Sequence, residues 1–296
     1  MMQNESKQKV EPIELIAADG YRLAALIYAP QAQQQETARA KGNILVASAT
    51  GVPQAFYRRF AEYASQQGFT VMTFDYRGIG QSNYASLKGF PASFLDWAKL
   101  DLAAAVDAMS EADVPLFMVG HSFGGQALGL LPNHHKVARL YTFATGAGWH
   151  GWMPFGEQIK VFFMWRLMGP LLTKWKGYLH WRQLGMGEDL PLGVYQQWKR
   201  WCRFPHYFFD DPAMLGVAEQ FATVSTPIVA ANALDDLWAP PSSRDAFLRG
   251  YQNAAKTVID LDPRTTGPLG HMGYFRAKAM PLWGHVLEWF SEHRGV

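Results

Sequence analysis

Val114-Pro115-Leu116-Phe117-Met118-Val119-Gly120-His121-Ser122-Phe123-Gly124-Gly125-Gln126-Ala127-Leu128 is the stretch that decides the fold. An apolar run enters Gly-x-Ser-x-Gly and leaves through small residues, which reads as strand, sharp turn and helix. Such a turn holds its serine in a strained conformation at the C-terminal end of the strand, and glycines on both sides let the two backbones pass closely. Without a strand before it and a helix after it, the same pentapeptide is only a glycine-rich turn that packs two elements together. The context makes Ser122 a candidate nucleophile.

A serine hydroxyl is a poor nucleophile near neutrality, so it needs a histidine to take its proton and a carboxylate to orient that histidine. In a strand-turn-helix setting of this kind the partners follow in the order Ser, Asp or Glu, His, each on a loop after a later strand. Three histidines come late enough. His285 lies among Leu282, Val286, Trp289 and Phe290, which recur at helical spacing after Pro281, and reads as a helix-surface residue. His293 lies near the chain end. His271 sits in the loop Gly267-Pro268-Leu269-Gly270-His271-Met272-Gly273, just beyond the apolar strand Thr257 to Leu261, and is the candidate base. The strand Pro227 to Ala233 ends at Leu234-Asp235-Asp236-Leu237-Trp238-Ala239-Pro240, which offers two adjacent carboxylates. Asp235 and Asp236 both stay open at this point.

Eight apolar or alternating runs are strand candidates: Ile13 to Ala17, Leu23 to Tyr28, Ile44 to Ala47, Thr70 to Phe74, Leu116 to Val119, Leu140 to Ala144, Ile228 to Ala231 and Thr257 to Leu261. Helical patterns separate most of them. Phe56, Phe60, Tyr63 and Ala64 share one helix face; Leu95, Ala98, Leu102, Val106 and Met109 share another, with Ser93 as its expected cap. Strands alternating with helices predict an α/β fold with a parallel sheet, and a ligand beyond the C-terminal ends of its strands.

Together the Ser122 turn, the Asp236 loop, the His271 loop and Phe74-Asp75-Tyr76-Arg77-Gly78-Ile79-Gly80-Gln81-Ser82 resemble the α/β-hydrolase superfamily, and within it the serine aminopeptidase and lysophospholipase-like hydrolases. The resemblance spans residues 11–145 and 222–292. It implies a mostly parallel eight-stranded sheet flanked by helices; the stretch between the sixth and seventh strands, too long for a simple crossover, reads as a helical cap inserted after the sixth strand. The resemblance favours Asp236 over Asp235, because in such proteins the orienting acid stands four residues before a proline, here Pro240. The oxyanion donors it implies are the backbone amide of Phe123, the residue after the nucleophile, and one from the loop after the third strand. That loop carries Thr50-Gly51 where the family has His-Gly, so by position the second donor is the Val52 amide. Asp75 and Arg77 are read as anchors of their own loop.

Residues 1–145 and 222–296 are expected to form the core domain and residues 146–221 the cap. The insertion holds seven of the eleven tryptophans, 149, 152, 165, 175, 181, 198 and 201. Val194, Tyr195, Trp198 and Trp201 repeat at helical spacing, as do Ile159, Phe162, Phe163 and Arg166 to Leu167; most of these side chains are expected to be cap core, the rest to line an apolar pocket. Thr50, Gly51, Trp149, Trp152 and Trp238 are the expected substrate-binding residues. Val161 to Trp175 is broken by Arg166, Gly169, Pro170 and Lys174 and falls short of the ~20 apolar residues a membrane span needs, so no stable membrane insertion is expected, while a lid that touches lipid surfaces stays open.

A formal net charge of +2 predicts no strong attraction to nucleic acid. One cysteine, Cys202, excludes an internal disulfide framework and reads as a packed thiol. Met1 to Val10 shows no apolar signal segment, which with the single cysteine gives a cytoplasmic expectation. Gln31 to Lys41 reads as a Gln/Ala-rich surface loop and His134-His135 as a solvated helix end. No metal-ligand spacing and no phosphate-cradling loop is present, so no cofactor is expected. The expected function is a serine hydrolase cleaving an ester or thioester with a bulky apolar group. Its rivals are a peptidase, a carbon-carbon hydrolase or an acyltransferase using the same three residues, and a non-catalytic binding protein. A homo-oligomer stays open.

Overall fold

The computed structural model describes residues 9–30 and 40–293. The expected loop at Gln31 to Lys41 and the polar N-terminal segment lie largely outside the described residues.

All eight apolar runs are strands: β1 (Val10–Ile16), β2 (Arg22–Tyr28), β3 (Asn43–Ala47), β4 (Thr70–Phe74), β5 (Leu116–His121), β6 (Val137–Phe143), β7 (Ile228–Ala233) and β8 (Lys256–Leu261). They form one sheet in the order β1-β2-β4-β3-β5-β6-β7-β8. The β1/β2 hairpin is antiparallel, β2 meets β4 antiparallel, and β3 to β8 are parallel. This is an α/β-hydrolase fold.

Period-two alternation sends β-strand side chains into two separate cores. On one face Leu45, Met118 and Leu140 pack beneath the helical stretch 94–109; on the other Val46, Phe117 and Tyr141 pack beneath the helices Arg58–Gln66 and Met280–Ser291. Burial on both faces explains why the central strands read as unbroken apolar runs. Ser93 caps the 94–109 stretch as expected: its side chain accepts from the Asp96 amide while Asp96 bonds back to the Ser93 amide. Pro281 sits in the first turn of the last helix and His285 on its exposed side.

The strand order positions the site. From β3 the chain crosses to β4 on one side, while β5 pairs with the other side of β3, Ala47 lying opposite Gly120. Loops leaving the C-terminal ends of β3 and β5 therefore diverge around a crevice, the place where open parallel sheets bind ligands. Between β6 and β7 the chain runs through a nearly continuous helix over 155–176, a second helix Leu192–Trp201 and a third, Val217–Ala222. Trp201 stacks on Phe94, and Phe94 stacks on Phe123 next to the Ser122 turn, so aromatic rings join this insertion to the sheet.

One expectation about the insertion is corrected. Ile159, Phe162, Phe163 and Leu167 are exposed, and the inward side of the same helix carries Val161 and Trp165 instead. Helical spacing marks a shared face without saying which way it points.

Candidate active site

Ser122 has φ 51° and ψ −113°, a left-handed conformation costly for a residue with a Cβ. The surroundings enforce it. A Cβ on Gly120 would lie 2.5 Å from Gly125 Cα, and one on Gly124 would lie 2.0 Å from the Ala47 carbonyl oxygen, so only glycine lets β5, the turn and β3 meet this closely. The Ser122 amide donates to Phe143 O at 2.9 Å, and its carbonyl accepts from the Gly125 amide and the Thr145 hydroxyl. The helix after the turn is short, Phe123–Gln126, then a 3-10 turn over Leu128–Leu130, as expected of a segment holding Gly124, Gly125, Gly129 and Pro132.

Ser122, His271 and Asp236 come together although they are far apart in the chain. His271 Nε2 is 3.1 Å from Ser122 Oγ, and His271 Nδ1 is 3.0 Å from each carboxylate oxygen of Asp236. Asp236 is fully buried and also accepts from the amides of Trp238 and Ala239, at 3.0 and 2.9 Å. Burial pushes its carboxyl pKa up, but the His271 ring and those two amides outweigh it and hold the group below the usual carboxylate range. An ionised carboxylate only accepts, so His271 Nδ1 carries its proton and the Nε2 lone pair faces the Ser122 hydroxyl. Asp235 does something else: it accepts from the Leu269 amide at 2.9 Å and so ties the Asp236 loop to the loop that carries His271.

His121, at the unspecified position of the pentapeptide, holds a second network that sequence reasoning missed. Its Nε2 lies 2.9 Å from the His271 carbonyl oxygen, which can only accept, so Nε2 bears the proton. Nδ1 is then an acceptor, 2.9 Å from the Tyr57 hydroxyl, which donates to it while accepting from the Ala49 amide at 2.8 Å. Burial, with a smaller push from the His271 ring, lowers the His121 pKa to about 3, and burial drives the Tyr57 phenol up. Every proton in the chain Ala49 to Tyr57 to His121 to His271 is thereby assigned. The loop after β3 and the loop bearing His271 are bolted to the nucleophile turn through a neutral imidazole.

The Val52 amide donates to Ala49 O at 3.2 Å, closing a turn, so it is occupied and the expected second oxyanion donor is corrected. The amides of Thr50 and Gly51 make no hydrogen bond among the described residues, and Thr50 lines the cavity over Ser122. Phe123 opens its helix, so its amide has no intrahelical acceptor. Asp75 accepts from the Gln54 amide at 2.7 Å and the Gln81 amide at 2.9 Å, while Arg77 pairs with Asp19 and Asp101. Both brace loops, as expected of them.

The cavity over Ser122 measures about 270 Å³. Met153, Val161, Trp165, Trp181 and Trp198 from the β6–β7 insertion form much of its wall, with Thr50, Trp238 and His271 from the core. The expected contributions of Trp149, Trp152 and Gly51 are corrected. Trp149 and Trp152 pack edge to face on each other, and Trp152 Nε1 donates to Pro205 O. Gly51 lies under the 188–190 segment, its carbonyl accepting from the Glu188 amide. Cys202 is buried at the cavity wall, and burial pushes its thiol up. Among the described residues no cluster of side chains suits a metal ion.

The profile of the serine aminopeptidase S33 family matches residues 38–184. No curated protein matches the chain in sequence. Solved structures share its fold across nearly the whole chain. A soluble variant of monoglyceride lipase from Saccharomyces cerevisiae, in complex with a substrate analogue, is 16% identical with a TM-score of 0.67, covering 100% of this chain and 98% of that one. DcsB in complex with its substrate analogue is 16% identical with a TM-score of 0.64, covering 97% and 100%. An esterase from Pyrococcus furiosus is 13% identical with a TM-score of 0.61, covering 100% and 97%.

Proposed function

We propose that this chain, which has the α/β-hydrolase fold and matches the serine aminopeptidase S33 family over residues 38–184, is a serine esterase acting on esters or thioesters with an apolar acyl or alcohol group. The observation that carries this reading is the Ser122 hydroxyl, 3.1 Å from His271 Nε2, at the base of an apolar, tryptophan-walled cavity.

Ser122 Oγ attacks the substrate carbonyl while His271 Nε2 takes its proton, and Asp236 stabilises the imidazolium that results. The oxyanion is held by the amides of Phe123 and Thr50, each donor contributing on the order of 3 kcal/mol. His271 returns the proton to the departing alcohol or thiol. Water then attacks the acyl-enzyme with the same ring as base, releasing the acid and restoring Ser122. Residues 146–221 act as a cap that supplies the apolar wall and keeps bulk water from the acyl group.

A peptidase reading is weaker for a specific reason. A free amino-terminus needs a carboxylate to pair with it, and among the described residues no Asp or Glu lines the cavity. The volume stands at the small end of ligand sites, which suits a medium acyl chain. Hydrolysis rates across p-nitrophenyl esters of increasing chain length, run beside N-terminal amino acid anilides, test the reading. Medium chains are expected to exceed acetate, with the anilides inert. Preferred cleavage of the anilides, or rates falling steadily from acetate onward, would overturn it.

A further inference from the structure

The outer side of the 155–176 helix carries a stripe that nothing in the fold uses. Phe155, Ile159, Phe163, Leu167, Leu171 and Trp175 recur every four residues, and all six are exposed, Phe155 at 76% and Trp175 at 72%. Phe162 and Met168 flank them, so eight of the seventeen large exposed apolar side chains among the described residues lie on this one helix. Isolated exposed apolar residues need no explanation, whereas a contiguous strip does. A four-residue repeat drifts about 40° per step around an ordinary helix of 3.6 residues per turn. The π-helical turn Met164–Met168 holds more residues per turn and counters that drift, keeping the stripe on one side.

The unpaired charge beside the stripe has one sign, Glu157 on the same helix being paired with Lys160. Arg166, Lys174, Lys176, Lys199 and Arg203 make no ion pair among the described residues. Arg166 lies over the Phe162 ring and Lys176 over the Trp175 ring, so cations alternate with the apolar side chains themselves. Lys174, Lys199 and Arg203 converge on a surface depression with Thr173 and Gln196, and no carboxylate among the described residues lines it. Burial, and then the charges of Arg203 and Arg166, lower the Lys199 pKa, as expected of cations gathered without a counter-ion. No helix among the described residues is long and apolar enough to cross a membrane.

We propose that this face seats the protein on an anionic lipid surface, the apolar stripe entering the boundary between headgroups and acyl chains while the cationic depression holds lipid phosphates. An exposed helix with Trp, Phe and Leu on one face and Lys and Arg alongside has the composition of an interfacial helix. A second copy of the chain is a poorer occupant, because it would bring the same unpaired cations face to face. On the opposite side of the same helix Val161, Met164 and Trp165 wall the cavity over Ser122. Resting on the esterase reading, this makes the substrate class an amphiphilic ester taken up from the lipid surface, through a wall that lipid and cavity share.

Flotation with vesicles tests the surface apart from the chemistry. The Ser122→Ala protein is mixed with extruded vesicles of phosphatidylcholine, or of phosphatidylcholine with roughly a third phosphatidylglycerol. It is expected to float with the anionic vesicles and about tenfold less with the neutral ones, and adding about 1 M salt should release it in part. Phe163→Glu with Leu171→Glu should cut anionic-vesicle binding by about tenfold or more. Built on the unmodified chain, the same pair should leave hydrolysis of a water-soluble ester unchanged, which also shows that the variant is folded. Arg166→Gln with Lys174→Gln should weaken binding to anionic vesicles only. Absence of flotation, flotation indifferent to the double glutamate variant, or a dimer in sedimentation that this variant splits would overturn the proposal. Failure to hydrolyse any ester would instead strike the esterase reading and leave the flotation result standing.

Discussion

Replacing His121 by asparagine should flatten the dependence of stability on pH. In the folded protein the ring is fully buried, neutral, and held between Tyr57 and the His271 carbonyl, with its pKa lowered to about 3. Unfolded, it takes up a proton near the ordinary histidine value of about 6.5. A depressed native pKa means that the stabilisation is present above the unfolded value and is lost as pH falls towards the native one. Between about pH 7.5 and about pH 5 the loss from this residue alone is roughly 1.5 pH units at 1.36 kcal/mol each, about 2 kcal/mol. At the higher pH the asparagine variant is itself less stable by about 2–4 kcal/mol, since it leaves Tyr57 and the His271 carbonyl without the ring. Urea unfolding of both proteins at the two pH values gives the difference in slope, with the other histidines cancelling. An equal loss of stability on acidification in both would refute a neutral, desolvated His121.

Asp236→Asn should keep the fold yet lower kcat by about ten-thousandfold, because an amide in that place favours the wrong tautomer of His271; steady-state ester hydrolysis checks it. Thr50→Pro removes a backbone donor and should cost about a hundredfold to a thousandfold in kcat, whereas Thr50→Ala, which keeps the amide, should stay near the parent rate. Equal losses in both would place the oxyanion donor elsewhere.

Legibility in the sequence followed how tightly chemistry and geometry constrain each position. Strands buried on both faces have little choice but to be apolar, so β3 to β7 stand out as mostly apolar runs. Ser122, His271 and the Asp235-Asp236 loop are readable as groups that would meet because a serine relay needs those types, in that order, at strand ends, whereas the choice of Asp236 over Asp235 rests on the family resemblance. The loop after β3 was harder. Whether Thr50 or Val52 offers a free amide depends on a turn bond to Ala49 O, which no side chain announces. His121 was hidden because its role comes from neighbours far away in the chain, Tyr57 and the His271 carbonyl. In the insertion, periodicity gave the helices but not their facing. Trp165, Trp181 and Trp198 reach the cavity while Trp149 and Trp152 do not, and the Phe163 side of its helix turns outward.

The central claim is that the Ser122 hydroxyl is made nucleophilic by His271. Incubation with a fluorophosphonate probe followed by intact and peptide mass spectrometry addresses it without knowledge of the substrate. A single adduct on Ser122 is expected, absent in Ser122→Ala and slowed by orders of magnitude in His271→Ala. A folded protein that takes up no probe, or an adduct that persists after Ser122 is removed, would contradict it.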